Sequence, residues 1–257
     1  MTVLLKLENV TKRFGGLTAV NKFSTEIHAG ELCALIGPNG SGKTTIFNVI
    51  TGIYTPTEGH VLLGGDNISG KRPDLITAKG IARTFQNIRL FKGLNVLENV
   101  IVGKHLRLHS DPLSAVLHLP TYQDEEKEMR QQGLVLLESL GLDHFAYDEP
   151  TSLPYGQQRK LEIARALATD PRLLLLDEPA AGMSPTDAEE LMKFILHILD
   201  HFDLTIFLIE HQMRVVMGIC PRIIVIDHGE MIAEGSPEVI QNDQHVIEAY
   251  LGVSDHA

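Results

Sequence analysis

Short apolar runs without polar interruption recur along the chain and predict the strands of a sheet. They are Leu32–Ile36, Leu173–Leu176, Thr205–Ile209 and Ile223–Ile226. A run this short that does not alternate with polar residues is typical of a parallel strand buried on both faces. We therefore expect a largely parallel central sheet that is covered on both sides.

Helical patterns lie between these runs. Apolar residues recur every three or four positions in two stretches, at Leu161, Ala164, Leu167 and Ala168 and at Ala188, Leu191, Met192, Ile195 and Leu199. This spacing places them on one face of a helix. Strands that alternate with such helices predict an α/β fold.

Two regions depart from this alternation. Residues 1–30 and about 59–68 predict antiparallel strands, because short apolar stretches there are separated by glycines. Residues from about 90 to 160 predict helices, with one apolar face formed by Met129, Gly133, Leu136, Leu137 and Leu140. Within that region Ser110–Thr121 predicts a loop, and the acidic run 124–128 predicts the first turn of a helix, which the helix dipole favours.

Charge and hydropathy narrow the class of protein. The net charge of −11 argues against a nucleic-acid partner, since phosphate backbones favour a basic face. The first residues lack the pattern of a signal peptide, and the apolar runs are too short to span a bilayer, so we expect any membrane role to be peripheral.

The cysteines and histidines do not predict a metal site or a disulfide. Cys33 and Cys220 lie in apolar stretches, which favours buried free thiols in a reducing compartment. Two histidine pairs have helical spacing for a metal, His105 with His109 and His197 with His201. No third ligand accompanies either pair, so we interpret both as solvated helix positions.

Residues 37–44, GPNGSGKT, predict a phosphate-binding loop, since they follow a predicted strand and precede a helix-compatible stretch. Glycines let backbone N–H groups approach phosphates, and a helix N-terminus adds partial positive charge. Lys43 is expected to reach the β- and γ-phosphates of a nucleotide, and the Thr44 hydroxyl to bind magnesium. The predicted nucleotide-binding residues here are Asn39, Gly40, Ser41, Gly42, Lys43, Thr44 and Thr45.

A pair of carboxylates completes this pattern. Asp177 and Glu178 end the apolar run LLLL, which predicts that they lie at the carboxyl end of a buried strand, where ligands bind in α/β sheets. There Asp177 can hold the magnesium shell and Glu178 can act as general base on the attacking water. ATP with Mg²⁺ is therefore the predicted ligand.

The segment LPYGQQRKLEIARAL, residues 153–167, resembles the signature helix of ATP-binding cassette (ABC) proteins. The resemblance implies a P-loop NTPase (RecA-like) core with a mostly parallel sheet, an N-terminal antiparallel β subdomain and an α-helical subdomain. It implies one ABC ATPase domain over 1–257, with about 1–86 and 161–235 as the core and β region, about 87–160 as the helical subdomain and about 236–257 as a helical tail.

The same resemblance implies roles for individual residues. Phe14 matches the aromatic residue that stacks on adenine, and Val20 is expected to contact the nucleotide beside it. Gln86 matches the loop glutamine that touches magnesium and the water, and His211 matches the histidine that contacts the γ-phosphate. The implied catalytic residues are Lys43, Gln86, Glu178 and His211, and the implied metal-binding residues are Thr44, Gln86 and Asp177.

Two positions depart from the family pattern. The usual signature is Leu-Ser-Gly-Gly-Gln, whereas Pro154 and Tyr155 replace its serine and first glycine. Gly156 and Gln157 remain, so backbone N–H groups and the helix dipole can still meet a phosphate there. The resemblance therefore implies that the signature residues Pro154, Tyr155, Gly156 and Gln157 bind the nucleotide of a second cassette. Ser184 stands where an aspartate is usual in the loop after Glu178, which puts the family's way of positioning water in doubt at that loop.

Finer features are similar to one group within the family. ARTFQNIRLF, DEPAAGMSP and the C-terminal PEVIQNDQHVIEAYLG resemble the ATPase of branched-chain amino-acid importers. This implies a second cassette subunit, integral-membrane permeases and a substrate-binding protein as partners, with the chain on the cytoplasmic side of the membrane.

Other functions remain open from sequence. A related transporter ATPase, for urea or amide import or for lipopolysaccharide export, would share the same chemistry. A non-transport cassette in cluster assembly or repair is a second alternative, although long coiled-coil insertions are not evident. A regulatory module without turnover would be expected to lack Glu178 or His211, and both are present.

Overall fold

The computed structural model describes residues 2–105 and 120–251. The strands are β1 (Val3–Phe14), β2 (Leu17–His28), β3 (Leu32–Ile36), β4 (Glu58–Leu63), β5 (Asp66–Asn67), β6 (Ile81–Arg83), β7 (Leu173–Asp177), β8 (Thr205–Ile209), β9 (Arg222–Asp227) and β10 (Glu230–Gly235). The helices are α1 (Lys43–Ile50), α2 (Pro73–Ala78), α3 (Val96–Lys104), α4 (Pro120–Ser139), α5 (Tyr155–Leu167), α6 (Pro185–His201), α7 (Met213–Ile219), α8 (Pro237–Gln241) and α9 (Gln244–Leu251), with 3₁₀ turns at Asp143–Phe145 and Pro150–Ser152.

The larger sheet confirms the predicted parallel core. Its strand order is β10-β9-β3-β8-β7-β6, and every pairing is parallel except that of β10 with β9. The predicted runs Leu32–Ile36 and Thr205–Ile209 coincide with β3 and β8. Because β8 pairs with both β3 and β7, the chain segments that follow these three strands emerge at one edge of the sheet.

Both faces of this sheet are buried, which explains why its strands do not alternate with polar residues. Ala34, Leu174 and Leu208 belong to the apolar cluster that includes residues of α3, α4, α5 and α6. The neighbours Leu35 and Leu175 belong to a second cluster, with residues of α1 and of the antiparallel sheet. Successive side chains of a strand point to opposite faces, so an apolar residue is needed at every position.

The smaller sheet confirms the predicted antiparallel region. Its order is β2-β1-β4-β5, and each neighbouring pair is antiparallel. The sequence patterns missed β6 and β10 in the larger sheet. β6 has only three residues, and no residue of β10 is fully buried, because β10 lies at the edge.

The region from 90 to 160 is helical where the structure describes it. Met129, Gly133, Leu137 and Leu140 are buried on one face, as predicted. The prediction that the acidic run 124–128 forms the first turn of a helix is wrong. The helix α4 already begins at Pro120 and has no acidic residue in its first turn. Of the predicted loop, residues 110–119 lie outside the described residues, and 120–121 are part of α4.

The cysteine prediction is confirmed, since Cys33 and Cys220 are both buried free thiols. Burial raises the pKa of both thiols, that of Cys220 to about 12. The rings of His197 and His201 stack with their centroids 5.5 Å apart, while His109 lies outside the described residues. No helix within the described ranges has the length and apolar character needed to cross a membrane.

Candidate functional site

The loop between β3 and α1 is built by close backbone packing. A Cβ on Gly37 would lie 2.0 Å from the carbonyl oxygen of Ile226, and a Cβ on Gly42 would lie 2.5 Å from that of Ala19. Gly42 also has a φ of 111°, a conformation that favours glycine. The neighbouring strands therefore fix the path of this loop through its glycines.

Lys43 connects this loop with the acidic pair. Its side chain is buried, and Nζ donates hydrogen bonds of 2.7 Å to the carbonyl oxygens of both Gly37 and Pro38. Burial lowers the pKa of Lys43, while the charges of Glu178 and Asp177 oppose that change. Arg83, which hydrogen-bonds both to Asn48 of α1 and to Asp177, shows that the helix after the loop and the end of β7 lie together as predicted.

The other predicted residues of the loop differ in exposure. Asn39, Gly40 and Thr44 are exposed, Thr45 and Gly42 are half-buried, and Ser41 is buried. The first turn of α1 thus has the exposed Thr44 beside the buried Lys43. Thr44 is therefore accessible from solvent at the start of α1.

Phe14 and Val20, which are predicted to contact the nucleotide outside the phosphate loop, have different surroundings. Phe14 is exposed at the end of β1, and its ring packs edge-on against Tyr54 with centroids 5.0 Å apart. Lys12 Nζ lies 5.0 Å from the centroid of the Phe14 ring. Val20 has no exposed surface and lies under Gly42. The predicted nucleotide contact of Val20 does not fit this burial, because its side chain supports the loop from below.

Asp177 ends β7 and forms a buried ion pair that the sequence did not predict. Arg83, at the end of β6, donates from Nη2 to Asp177 Oδ2 at 2.6 Å, and both side chains are almost inaccessible. Arg83 Nη1 also donates to Asn48 Oδ1 on α1 at 2.7 Å. The pairing follows from strand order, since β6 lies next to β7.

Three residues predicted to be catalytic meet at Glu178. Gln86 Nε2 donates to Glu178 Oε2 at 2.7 Å, and His211 Nε2 lies 2.5 Å from Glu178 Oε1. Glu178 has a φ of 48°, an uncommon conformation for a residue other than glycine, and its N–H donates to the Ile209 carbonyl at 2.8 Å. The carboxylate is thus held on both oxygens at the edge of the sheet.

A buried acid behind this group was also missed by the sequence analysis. Glu210 accepts hydrogen bonds from the N–H groups of Ala180 at 3.0 Å, His211 at 2.7 Å and Gln212 at 3.1 Å. It joins the loop after Glu178 to the segment that carries His211. Its position directly after the apolar run Thr205–Ile209, like that of Asp177 after β7, was the signal that could have found it.

The signature segment lies beside the loop that follows Glu178, at the start of α5. Pro154 and Tyr155 are exposed, Gly156 and Gln157 are half-buried, and α5 begins at Tyr155. Among the described residues, no hydrogen bond joins these four to the phosphate loop. Tyr155 instead donates its hydroxyl to the carbonyl oxygen of Ala181 at 3.1 Å.

Ser184 has a structural role in the loop that follows Glu178. Its Oγ accepts a hydrogen bond from the N–H of Asp187 at 3.2 Å and donates to the Asp187 carboxylate at 2.8 Å. Ser184 is therefore the N-cap of α6. The side-chain oxygen of Ser184 therefore stabilises the start of α6.

The C-terminal helix α9 carries the tyrosine Tyr250. Partial burial raises the pKa of the Tyr250 hydroxyl to about 12, and a hydrogen bond with the backbone of Gly37 opposes this rise. Sequence patterns alone did not connect α9 with the loop.

The predicted metal ligands suit Mg²⁺ chemically. Thr44 offers a hydroxyl, Gln86 an amide oxygen and Asp177 a carboxylate, and oxygen atoms are the ligands that Mg²⁺ prefers. Arg83 joins Asp177 to Asn48 of α1, the helix that begins with Lys43 and Thr44, and Gln86 bonds to Glu178, which directly follows Asp177, so these donors lie at one edge of the sheet. Among the described residues, histidines, cysteines and carboxylates do not form a group of three that would hold a metal without a nucleotide.

Comparison with known proteins agrees with the geometry. Residues 20–181 match the family described as ABC transporter, and residues 230–256 match the family described as Branched-chain amino acid ATP-binding cassette transporter. The chain is 44% identical to the high-affinity branched-chain amino acid transport ATP-binding protein LivG of Escherichia coli (strain K12), over 97% of this chain and 98% of LivG.

Solved structures give the same result. The ADP conformation of MJ1267, an ATP-binding cassette of an ABC transporter, aligns with a TM-score of 0.86 at 33% identity, over 98% of this chain and 100% of MJ1267. A dimeric post-hydrolysis state of the ATP-binding cassette MJ0796 with ADP and Pi aligns with a TM-score of 0.74 at 28% identity, over 91% of this chain and 99% of MJ0796. The predicted fold class is confirmed by these neighbours.

Proposed function

The chain belongs to the ABC transporter family of ATP-binding cassettes, and from that membership we propose that it is the ATP-binding and ATP-hydrolysing subunit of an importer for branched-chain amino acids. The observation that carries this proposal is the near full-length similarity to LivG together with the match of residues 230–256 to the branched-chain amino-acid group. The site supports turnover, because Gln86 and His211 hold Glu178 on both carboxylate oxygens.

Binding of ATP would exchange contacts that the loop now makes with itself. Lys43 bonds to two loop carbonyls, and the β- and γ-phosphates offer it stronger, charge-assisted partners. The free N–H groups of the loop and the N-terminus of α1 add further donors. Thr44, Asp177 and Gln86 would hold Mg²⁺, which supplies neutralisation of the phosphate charge. The exposed face of Phe14 is available for the adenine ring.

Glu178 has the surroundings of a general base. In the proposed step it takes a proton from water, the water oxygen forms a bond to the γ-phosphorus, and the bond from that phosphorus to the β–γ bridging oxygen breaks, giving ADP and phosphate. Lys43 and His211 stabilise the transferring group by donating hydrogen bonds. The contacts of Gln86 and His211 keep the carboxylate oriented before ATP arrives.

A second cassette would complete the site. We propose that two cassettes close head-to-tail, so that the start of α5 in one subunit faces the γ-phosphate held by the loop of the other. The dimeric state of MJ0796 supports this arrangement. Although Pro154 and Tyr155 remove the usual serine hydroxyl, the N–H groups of Gly156 and Gln157 lie in the first turn of α5, where the helix dipole favours an anion.

The work of the dimer would be done on membrane partners. We propose permease subunits that dock near Gln86 and the helical region 87–160, a substrate-binding protein outside the membrane, and a position for this chain on its cytoplasmic face. In this proposal residues 1–86 and 161–235 form the catalytic core, and residues 236–257 form a tail. Closing and opening of the dimer would be a population shift driven by ATP binding and hydrolysis.

Glu178→Gln tests the catalytic part of this proposal. Loss of the general base is expected to lower phosphate release by about 10²–10⁴-fold while ATP binding is retained, so the variant should accumulate as an ATP-bound dimer on size exclusion. Glu190→Gln makes the same change at an exposed position of α6 and should behave as wild type. Normal turnover by Glu178→Gln would contradict the proposed role.

Leucine uptake tests the transported solute. Cells from which this chain has been deleted should lose uptake of radiolabelled leucine, isoleucine and valine and regain it with the wild-type chain but not with Glu178→Gln. Uptake of urea in the same cells serves as the control. Loss of urea uptake with retention of leucine uptake would contradict the branched-chain amino-acid assignment.

A further inference from the structure

A fully buried arginine lies one turn inside the signature helix. Arg159 has no exposed surface, and Nη1 donates to the carbonyl oxygen of Phe85 at 2.8 Å and to Glu162 Oε2 at 2.7 Å. Its Nη2 donates to the carbonyl oxygen of Gln86 at 2.8 Å and to the Tyr155 hydroxyl at 3.4 Å. The guanidinium thus holds the two peptide carbonyls that flank the Gln86 side chain, one on each side of its Cα.

Burial of the Arg159 and Glu162 charges costs free energy, and packing alone does not explain why this ion pair is present. A buried ion pair stabilises a fold poorly compared with apolar residues of the same volume, since both charges lose their hydration. Burial raises the pKa of Glu162, and the charge of Arg159 opposes that rise. The Arg159 Nε atom is buried without a hydrogen-bond partner. The favourable contacts of Arg159 are directed instead at the loop that carries Gln86.

Tyr155 extends the contact to a second loop of the same ATP site. Its hydroxyl accepts from Arg159 and donates to the carbonyl oxygen of Ala181 at 3.1 Å, so the hydrogen-bond directions are consistent along the chain. The N–H of Ala181 in turn donates to the backbone carbonyl of Glu178 at 3.1 Å. A glycine, which is usual at position 155 in the family, has no side chain to make this connection.

We infer that Tyr155 and Arg159 are positioning residues for ATP hydrolysis, which fasten the signature helix to the Gln86 loop and to the Ala181 loop of the same chain. The inference rests on the proposed head-to-tail dimer, in which the signature serves the partner's ATP while Gln86 and Glu178 serve the chain's own ATP. Movement of α5 toward the partner's phosphate then also moves the Gln86 and Ala181 loops. The chain's own ATP site and the partner's ATP site therefore reach their catalytic arrangement at the same time. The Tyr155 hydroxyl supplies the contact between α5 and the Ala181 loop, which glycine at this position could not make.

Tyr155→Phe is the decisive variant, because it keeps the ring and removes only the hydroxyl. Loss of one neutral hydrogen bond predicts a kcat for ATP about two- to tenfold lower, with the KM for ATP changed less than twofold. The Hill coefficient for ATP should fall toward 1. Tyr147→Phe, at a tyrosine of the helical region that is 72% exposed, should leave all three values unchanged.

Amide hydrogen exchange measures the connection without turnover. In Tyr155→Phe, exchange should be faster at residues 84–87 and 180–183 and unchanged in the phosphate loop 37–44. Arg159→Lys keeps the charge but loses the planar fork, so it should show the same pattern with a larger effect at 84–87. If wild-type protein fails to hydrolyse ATP, the proposed function is contradicted, whereas exchange and kinetics in Tyr155→Phe that equal those of Tyr147→Phe overturn this inference alone.

Discussion

Two helices of this chain begin where ATP phosphates are expected, α1 after Gly42 and α5 after Pro154, and they are held by different means. The turn before α1 is fixed by backbone that packs against backbone, as at Gly37 and Ile226. The start of α5 is open, and a Cβ on Gly156 would meet nothing within 4 Å. Side chains hold that end instead, through Arg159 and Tyr155.

The difference matches the two tasks. A loop whose glycines touch neighbouring strands cannot move without the sheet, which suits a cradle for a fixed ligand. Hydrogen bonds from side chains can be remade as a helix moves; each contributes about 0.5–1.5 kcal/mol when neutral, as for the Tyr155 hydroxyl, and about 1.5–3 kcal/mol when a charged group such as the Arg159 guanidinium takes part. The phosphate loop is therefore tied to the sheet, and the signature has the side-chain contacts that the proposed movement of α5 requires.

Gly37→Ala should have the largest effect on the rigid side of this comparison. Its Cβ would lie 2.0 Å from the Ile226 carbonyl oxygen, at a φ of 154°. Overpacking and strain each cost about 1–3 kcal/mol, so the free energy of unfolding should fall by about 2–6 kcal/mol in denaturant titrations. Gly40→Ala, at a φ of 81° but in open space, should lose only about 1–2 kcal/mol. Equal losses in both variants would show that close packing does not hold the loop.

Lys43→Ala tests whether the loop lysine exchanges carbonyls for phosphates. Hydrogen bonds to charged groups contribute about 1.5–3 kcal/mol, so ATP binding should weaken about ten- to hundredfold in calorimetry. Lys193→Ala removes an exposed lysine from α6 and should bind ATP as wild type does. Unchanged affinity in Lys43→Ala would mean that Nζ stays on Gly37 and Pro38 when ATP is bound.

Ser184→Ala removes the N-cap of α6, at the end of the loop whose Ala181 carbonyl accepts a hydrogen bond from Tyr155. Loss of the N-cap of α6 should lower the free energy of unfolding by about 0.5–2 kcal/mol, measured by urea titration. Ser236→Ala removes the cap of α8, whose bond to Val239 N is longer at 3.5 Å, and should cost less. The reverse order would argue that the role of Ser184 lies in the ATP site and not in the helix start.

Gly156→Ala should have the smallest effect on stability. It tests directly whether the start of α5 is open, in contrast to the closely packed turn before α1. Alanine favours a helix over glycine by up to about 1 kcal/mol, so the melting temperature of the isolated chain should stay the same or rise slightly. ATP turnover should fall, because the new methyl group stands where the partner's phosphate is expected. Unchanged turnover would contradict that position of the partner's ATP.

Much of the site was predictable because the family motifs are local in sequence. Gln86, Glu178 and His211 were predicted to act together, and the structure joins them directly. Arg83 was not predicted, although it lies three residues before Gln86, because its partner Asp177 is 94 positions away. Only the pairing of β6 with β7 brings these two side chains together.

The sequence by itself determined the period of each element and the chemistry of each loop. A two-sided sheet forces continuous apolar runs, and a phosphate loop forces glycine and lysine at fixed spacing, so both can be read residue by residue. The tertiary structure alone decided which loops touch, because strand order is not encoded in any local period. That order brings Arg83 into contact with Asp177. The packing of α5 against the Gln86 loop likewise decides that Arg159 bonds to the Gln86 carbonyl and, through Tyr155, connects with the Ala181 loop.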